Sequence, residues 1–196
     1  MKNIPFIILV SVVLLSCNSK LENNPEKKPI DLPNTEWKEV ISEEGNFKIL
    51  FPDLKLRMGT DTFVNEEGGK SENHYFRLNI QDSLNLNMAY DITYTYRTDL
   101  ETEEEMEKMF EIEKEFLIST LNAKINFVKV LEEKDYFGRE IVMTIDNSKF
   151  QLSQRFYVNK GILYVLKVLT NTNEGKIFNK SRSKFFDSFE IVKQEA

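Results

Sequence analysis

Three patterns of hydrophobic and polar residues follow one another along the chain. Residues 4–15 are almost wholly apolar and are broken only by Ser11. Residues 18–35 are mostly polar and hold three of the five prolines. From Trp37 onward, apolar and polar residues alternate in short runs. These patterns predict a short hydrophobic leader, a solvated connecting segment and a single domain over residues 36–196.

Alternation with a period of two predicts that most of this domain is β-strand. The segment 47–51 alternates large apolar residues with others until Pro52 ends the run. Segment 66–70 reads as a turn or loop. Further strands are predicted near residues 54–58, 73–81, 86–97, 125–133, 138–146, 149–158, 162–170 and 189–192. The pair 149–158 and 162–170 would form a hairpin, because Gly161 can adopt a positive φ in the turn between them.

Two segments carry apolar residues at helical spacing. In residues 102–121, Thr102 and Glu105 suit a capping box, and the acidic first turn favours a helix N-terminus. A second helix is predicted from about residue 173 to 187, with an inner stripe of Ile177, Phe178, Ser181 and Phe185. Strands adjacent in sequence, with two helices that close no β-α-β repeat, predict an α+β fold. We expect a central antiparallel sheet flanked by helices, an α/β/α sandwich.

The hydrophobic leader predicts export and lipidation. It is too short to cross a bilayer as a helix, which needs about 20 apolar residues, and it fits a signal peptide over residues 1–16. It ends in Leu14-Leu15-Ser16-Cys17, which resembles the lipobox of bacterial lipoproteins, although Leu15 is larger than usual. Cys17 is the only cysteine of the chain. We expect cleavage before Cys17 and a palmitate-type lipid anchor on it. An ordinary secretory signal is the alternative.

Residues 17–35 would then be the lipidated cysteine and a flexible tether. Fully extended, the tether reaches at most about 60 Å, so the domain could stand away from the membrane. We expect a location in the cell envelope, on the outer membrane rather than the inner one, because Asn18 is not an aspartate sorting signal. The sequence leaves open whether the domain faces the periplasm or the cell surface.

Charge excludes two classes of partner. The formal net charge is −6, and removal of residues 1–16 takes away Lys2 as well. An acidic domain argues against a nucleic-acid partner, since phosphate binding needs a basic surface. It also argues against a polybasic membrane patch, which leaves the lipid as the membrane attachment.

Several motifs, in order, resemble the PsbP/Mog1-like superfamily, including its exported bacterial members. These motifs are Phe47-Lys48-Ile49-Leu50-Phe51-Pro52, Tyr90-Asp91-Ile92-Thr93-Tyr94, Gly138-Arg139-Glu140, Arg155-Phe156-Tyr157, Leu163-Tyr164-Val165-Leu166 and Phe185-Phe186-Asp187-Ser188-Phe189. The resemblance covers residues 37–192 and implies a central antiparallel sheet with helices on both faces. It does not imply one function, because members serve as accessory factors of photosynthetic complexes, as a partner of a small GTPase and as envelope proteins.

No familiar catalytic or metal-binding pattern is present. His74 is the only histidine, and no nucleophile motif lies beside it, so we expect a structural or surface role. Zinc spacing, calcium loops and phosphate-binding glycine loops are missing from the sequence. We therefore predict no catalytic residue, no metal ligand, no cofactor and no enzyme. A pair of carboxylates acting in hydrolysis is the last-ranked alternative.

Two groups of residues are candidates for binding. Residues 101–115 hold eight glutamates and two lysines, and Glu104, Glu107 and Glu111 form a candidate docking surface for a partner protein. The simpler interpretation is the solvated face of a helix. Tyr90, Tyr94 and Tyr96 share one strand face and are either core residues or the lining of a ligand groove.

Together these features predict a lipid-anchored cell-envelope lipoprotein with a non-catalytic, accessory or protein-binding domain. The expected partner is another envelope protein. A small-ligand or metal-binding envelope protein is the alternative, and the sequence identifies neither the partner, the ligand nor the oligomeric state.

Overall fold

The computed structural model describes residues 36–64, 70–80, 88–132, 136–145, 149–171 and 175–192. The predicted signal peptide, Cys17 and the tether lie outside the described residues, as does most of the predicted loop at 66–70.

A seven-stranded antiparallel sheet forms the centre of the domain. In chain order its strands are β3 (Arg57–Val64), β4 (Lys70–Ile80), β5 (Met88–Tyr96), β6 (Lys124–Val130), β7 (Phe137–Ile145), β8 (Phe150–Asn159) and β9 (Ile162–Asn171). Their order across the sheet is β3-β4-β5-β9-β8-β7-β6, so β3 and β6 are its two edges. Lys160 and Gly161 join β8 to β9 with φ angles of 47° and 73°, which confirms the predicted hairpin turn.

Helix α1 (Glu103–Leu121) packs on one face of this sheet, which we call the helix face. The capping box is present: Glu105 N–H donates to Thr102 Oγ1, and the Glu105 carboxylate accepts from Thr102 N–H. Asn122 ends the helix in the left-handed conformation. Met109, Phe110 and Leu117 bury the apolar stripe of α1 against β7, β8 and β9.

The opposite face, which we call the aromatic face, is covered by two elements. A second antiparallel sheet joins β1 (Trp37–Ser42), β2 (Phe47–Pro52) and β10 (Glu190–Ile191) in the order β1-β2-β10. Helix α2 (Gly175–Asp187) packs beside it. The Phe47 ring is fully buried and contacts the rings of Phe76, Tyr94, Tyr164 and Phe189 at centroid distances of 5.5 to 6.1 Å.

The antiparallel sheet and the two helices agree with the expected fold, but the α/β/α description is only partly right. Much of the layer on the aromatic face is the three-stranded sheet, which the alternation pattern did not predict. The strand expected at residues 54–58 is also misplaced, because β3 begins at Arg57 and pairs with β4 over eight residues. In the predicted inner stripe of α2, Ser181 and Phe185 are buried, while the side chains of Ile177 and Phe178 lie outside the described set.

Candidate functional site

Edge strand β6 exposes apolar side chains on both of its faces. Phe127 is 44% exposed, Val128 45% and Val130 53%. Val128 and Val130 pair with Ile141 and Arg139 of β7, whose side chains point to the helix face. Among the described strands, β7 is the one neighbour of β6, so the outer side of β6 carries backbone groups that could pair with another strand.

A second feature crosses the helix face from β4 to β8. Arg77, Asp91, Lys167 and Gln154 are successive partners in the registers of four neighbouring strands. All four side chains lie on the helix face, since they alternate with aromatic-face residues along their strands. We call these four residues the polar row.

Asp91 is the centre of the polar row. Its Oδ2 accepts a hydrogen bond from Arg77 Nε at 2.6 Å, and its Oδ1 accepts one from Thr93 Oγ1 at 3.0 Å. Lys167 Nζ lies 3.7 Å from Asp91 Oδ1, which is an ion pair without a hydrogen bond. Asp91 is 5% exposed, and its two cations keep the buried carboxylate compensated.

At the β8 end of the polar row, the side chain of Gln154 lacks hydrogen-bond partners. Gln154 is 1% exposed, and neither its Oε1 nor its Nε2 has a hydrogen-bond partner in the described structure. Its register partner Lys167 has a side chain that is 13% exposed. Within the described residues Lys167 Nζ has the 3.7 Å ion pair and donates no hydrogen bond. The buried Gln154 amide therefore has unused hydrogen-bonding capacity beside the partly exposed ammonium of Lys167.

The β3 end of the same face is built around Tyr75. A Cβ at Gly59 would lie 2.6 Å from the Tyr75 hydroxyl oxygen, so the glycine leaves the space that this ring occupies. The Arg77 guanidinium lies over the same ring, 4.8 Å from its centroid. Tyr75 and Asp91 thus hold the Arg77 side chain in place from two sides.

The three tyrosines of the candidate groove have different environments. Tyr90 and Tyr94 are core residues of the aromatic face, 0% and 2% exposed, whereas Tyr96 is 51% exposed. The Tyr96 hydroxyl donates to Glu44 O. Burial raises the pKa of the Tyr90 phenol, and it raises the pKa of Tyr94 to about 12. Packing thus accounts for Tyr90 and Tyr94, which leaves Tyr96 as the accessible member of the stripe.

The candidate docking glutamates lie on α1 as expected, but two of them have intramolecular partners. Glu107 pairs with Arg139 of β7, and Glu111 pairs with Lys114 one turn along the helix. Glu104 is exposed in the first turn. Binding of a partner by Glu104, Glu107 and Glu111 stays a prediction, and two of the three charges are already partly neutralised.

His74 is held inside the aromatic face. Its ring stacks on Tyr94 with a centroid distance of 4.7 Å, and its Nδ1 lies 3.0 Å from Thr60 Oγ1. The Glu44 carboxylate is 3.8 Å from Nε2, too far for the hydrogen bond that orients the base of a catalytic triad. No three His, Cys, Asp or Glu side chains in the described part of the chain are placed to hold a metal ion.

Neither the edge strand nor the polar row was named as a site from the sequence. The available signal for the row was Lys167, the one charged residue in the otherwise mostly apolar run of β9. Its alignment with Asp91 depends on strand pairing across 76 residues of sequence, and alternation within each strand does not report it. No helix among the described residues is long and apolar enough to span a membrane.

Comparison with known proteins identifies the fold. No family model matches the sequence, and no curated protein sequence matches it. The solution structure of cyanobacterial PsbP from Synechocystis is similar, with a TM-score of 0.55 and 10% identity, and the match covers 86% of this chain and 99% of that one. A putative regulator of unknown function from Pseudomonas aeruginosa has a TM-score of 0.49 and 9% identity, over 82% and 99% of the two chains.

The Ran-binding protein Mog1p of Saccharomyces cerevisiae has a TM-score of 0.43 and 10% identity, over 81% of this chain and 96% of that one. The domain has a PsbP/Mog1-like fold, as the sequence motifs indicated, and the likeness to cyanobacterial PsbP carries this assignment. At this level of identity the likeness concerns the fold alone.

Proposed function

We propose that the chain is a lipid-anchored, non-catalytic protein of the cell envelope that binds another protein at edge strand β6. The exposed apolar edge carries this proposal. Three large apolar side chains in four consecutive positions, each about half exposed, are unusual on an edge strand. Edges that must stay unpaired are usually protected by charges, prolines or a covering element. An apolar edge is suited to adding a strand from a partner.

The occupant we propose is an extended segment of a partner protein. Cross-strand neighbours interact directly, so the segment should place apolar side chains against Val128 and Val130 and a carboxylate near Lys129. A second copy of this chain fits less well. Two-fold pairing of β6 with itself would bring two α1 helices together, and each has eight glutamates against two lysines in residues 101–115. Their mutual repulsion opposes this arrangement.

The lipid anchor would raise the encounter rate with partners at the membrane. The presence of the anchor is inferred from the hydrophobic leader, the lipobox-like segment and the single cysteine. Cys17→Ala should move the protein from the membrane fraction to the soluble fraction and abolish incorporation of labelled palmitate. Retention of the variant in the membrane fraction would contradict the anchor without bearing on β6.

Site-specific photocross-linking in the producing cell tests the docking edge. A photoreactive residue at Phe127 should capture one protein partner through an extended segment of that partner. The same residue at Met58, which is 67% exposed on the other edge of the sheet, should not capture it. Equal capture from both positions, or capture of this chain alone, would overturn the proposed partner.

A matched pair of charge insertions sharpens the test. Val128→Glu with Val130→Glu should abolish the cross-link from Phe127, since two buried charges would face the added strand. Met58→Glu with Val64→Glu adds the same charge to the β3 edge, where both residues are exposed. This variant should still form the cross-link from Phe127. Loss of the cross-link in both variants would assign the effect to net charge rather than to the edge.

A further inference from the structure

The two helices pack on opposite faces of the seven-stranded sheet and carry opposite charge. The sequence of α1 holds seven glutamates and two lysines, a net of −5. The sequence of α2 holds three lysines and one arginine against one aspartate, a net of +3. The formal net charge of −6 averages over this difference. A domain whose charges are separated across its sheet has a preferred orientation in front of a charged surface.

Two lysines give the outer side of α2 its positive charge. Lys180 and Lys184 are one helical turn apart, and both are exposed. Lys184 Nζ lies over the Trp37 ring, 4.9 Å from its centroid. Within the described part of the chain, no carboxylate is within ion-pairing distance of either lysine. Their charges are therefore available to an anionic surface.

The other described charges of α2 do not cancel these lysines. Arg182 is partly buried and donates a hydrogen bond to Ser153 Oγ at 3.2 Å. The Asp187 carboxylate pairs with Arg155 of β8 at 3.1 Å. The charge of Asp187 is thus compensated from the sheet rather than by the lysines of its own helix.

The proposed tether joins the domain beside these lysines. Trp37 is the first residue of β1, and residues 17–35 precede it closely in the chain. The Trp37 ring is held against the core, since it meets the Tyr90 ring edge-on at a centroid distance of 5.8 Å. Its other contact is the ammonium of Lys184. A lipid anchor would therefore hold the domain from the side where Lys184 is exposed.

Charges near Trp37 leave the two lysines in excess. Lys38 and Asp53 form a pair at 2.6 Å, so they neutralise each other. Glu36 is exposed next to Trp37 and is one carboxylate against Lys180 and Lys184. The eight glutamates of residues 101–115 are on or near α1, which covers the opposite face of the sheet. An anionic surface would attract the α2 side and repel the α1 side.

The size of this attraction suits orientation rather than attachment. Near an anionic bilayer, one exposed lysine shifts an equilibrium about fivefold, so Lys180 and Lys184 together favour the α2 side about thirtyfold. Repulsion of Glu36 reduces this preference, and repulsion of α1 increases it. Such a preference is too weak to hold a free protein on a membrane. It is sufficient to orient a protein that a lipid already holds there.

We propose that the exposed side of α2 faces an anionic phospholipid bilayer, so that the lipid attaches the domain and Lys180 and Lys184 orient it. The acidic helix α1 then points away from the bilayer. Edge strand β6 belongs to the sheet between the two helices and stays accessible to a partner. This orientation rests on the proposed lipid anchor, and it does not depend on docking at β6.

Trp37 is the only tryptophan of the chain, so its fluorescence reports the distance between α2 and the bilayer. The mature lipoprotein is reconstituted into vesicles that contain a phospholipid with a nitroxide-labelled headgroup. Quenching should be at least about twofold greater in phosphatidylglycerol–phosphatidylcholine vesicles than in phosphatidylcholine vesicles. The difference should disappear in about 1 M salt, where the Debye length is about 3 Å. Equal quenching in the two vesicles would overturn the orientation and leave α2 as a surface for an acidic protein.

Two double variants assign the effect to α2. Lys180→Glu with Lys184→Glu should abolish the extra quenching in phosphatidylglycerol vesicles, because both attractive charges become repulsive. Each variant is compared with itself in phosphatidylcholine, which corrects for the loss of Lys184 from the Trp37 ring. Lys108→Glu with Lys124→Glu changes the net charge equally at exposed lysines of α1 and β6, and should keep the extra quenching. Its loss in both variants would assign the effect to net charge and overturn the proposal.

Flotation of the same vesicles separates this orientation from the lipid anchor. A mature protein that fails to float with either vesicle would contradict the anchor, and this orientation with it. A protein that floats with both vesicles but shows no extra quenching would contradict the orientation alone. The cross-link from Phe127 reports docking at β6 and bears on neither result.

Discussion

The two faces of the seven-stranded sheet are built on different principles. The aromatic face is closed by interlocking rings, and its buried charges are paired: Arg155 meets Glu140 at 3.1 Å and Asp187 at 3.1 Å, and its guanidinium lies over the Phe186 ring. The helix face is apolar where α1 covers it, but the polar row interrupts it. There Gln154 is buried without a partner and Lys167 is held by one long ion pair.

The alternation of apolar and polar residues fails at the polar row on the helix face. Buried polar atoms without a hydrogen-bond partner occur on both faces: the Tyr90 hydroxyl on the aromatic face and both amide atoms of Gln154 on the helix face. Natural proteins keep such violations where function requires them. The same contrast applies to the sheet edges, since β6 exposes adjacent apolar residues whereas those of β3 are separated by threonines and an aspartate.

The largest expected effect is the loss of a ring from the aromatic face. Phe47→Ala removes a fully buried ring that contacts four others, so the free energy of unfolding should fall by about 3–5 kcal/mol. Urea unfolding followed by circular dichroism measures it. Met58→Ala, on an exposed side chain, should cost less than about 0.5 kcal/mol. Equal losses would show that the ring network is not a main source of stability.

Removal of the central carboxylate from the polar row comes next. Asp91→Ala leaves Arg77 and Lys167 buried without their shared anion, which should cost about 3 kcal/mol by urea unfolding. Asp53→Ala breaks the Lys38 ion pair, in which both side chains are 50% exposed, and should cost under about 1 kcal/mol. A small loss for Asp91→Ala would mean that solvent screens the row and that its charges are not buried.

Helix α1 depends on its cap. Thr102→Ala removes the acceptor for Glu105 N–H and should lower the free energy of unfolding by about 1 kcal/mol. Ser119→Ala removes a hydroxyl that donates to Phe116 O on the exposed side of the same helix, and should change stability by less than about 0.5 kcal/mol. Comparable effects of the two changes would argue against the capping box as a specific stabiliser of α1.

The smallest expected effect depends on pH. Two hydrogen bonds of 2.7 Å from the Arg97 guanidinium lower the pKa of Asp99 below its ordinary value of 3.8. The ionised carboxylate therefore stabilises the fold fully above about pH 4, and this contribution disappears as the pH falls through the lowered pKa. Asp99→Asn should flatten the loss of stability in this acidic range slightly, because Asp99 is largely exposed. An unchanged acid profile would show that the pair contributes nothing measurable.

The sequence predicted elements whose signals are local. Thr102, Glu105 and the apolar stripe of residues 102–121 defined α1, and Gly161 identified the hairpin between β8 and β9. The strands β2 and β10 fall on segments predicted as strands, but β1 was missed because it mixes charged and apolar positions, and the three strands were not recognised as one sheet. β10 joins the sheet by pairing with β2 across more than 130 residues, which is a tertiary effect.

The candidate sites were harder to predict for the same reason. Exposure of Phe127, Val128 and Val130 depends on β6 being an edge, and a run of apolar residues by itself predicts a buried strand. The period-two spacing of Tyr90 and Tyr94 placed both residues on one strand face. It did not distinguish a core from a groove, and in the structure both belong to the hydrophobic core.

The docking edge is tested most directly by amide hydrogen exchange of the mature protein with and without the partner captured at Phe127. The outward-pointing amides of residues 124–130 should exchange quickly in the protein alone and become strongly protected in the complex, because strand addition pairs the outer backbone groups of β6, whereas the inward amides already pair with β7. Residues 57–64 at the β3 edge should exchange equally in both states. Protection confined to α1 or to β3, with β6 unchanged, would contradict docking at this edge.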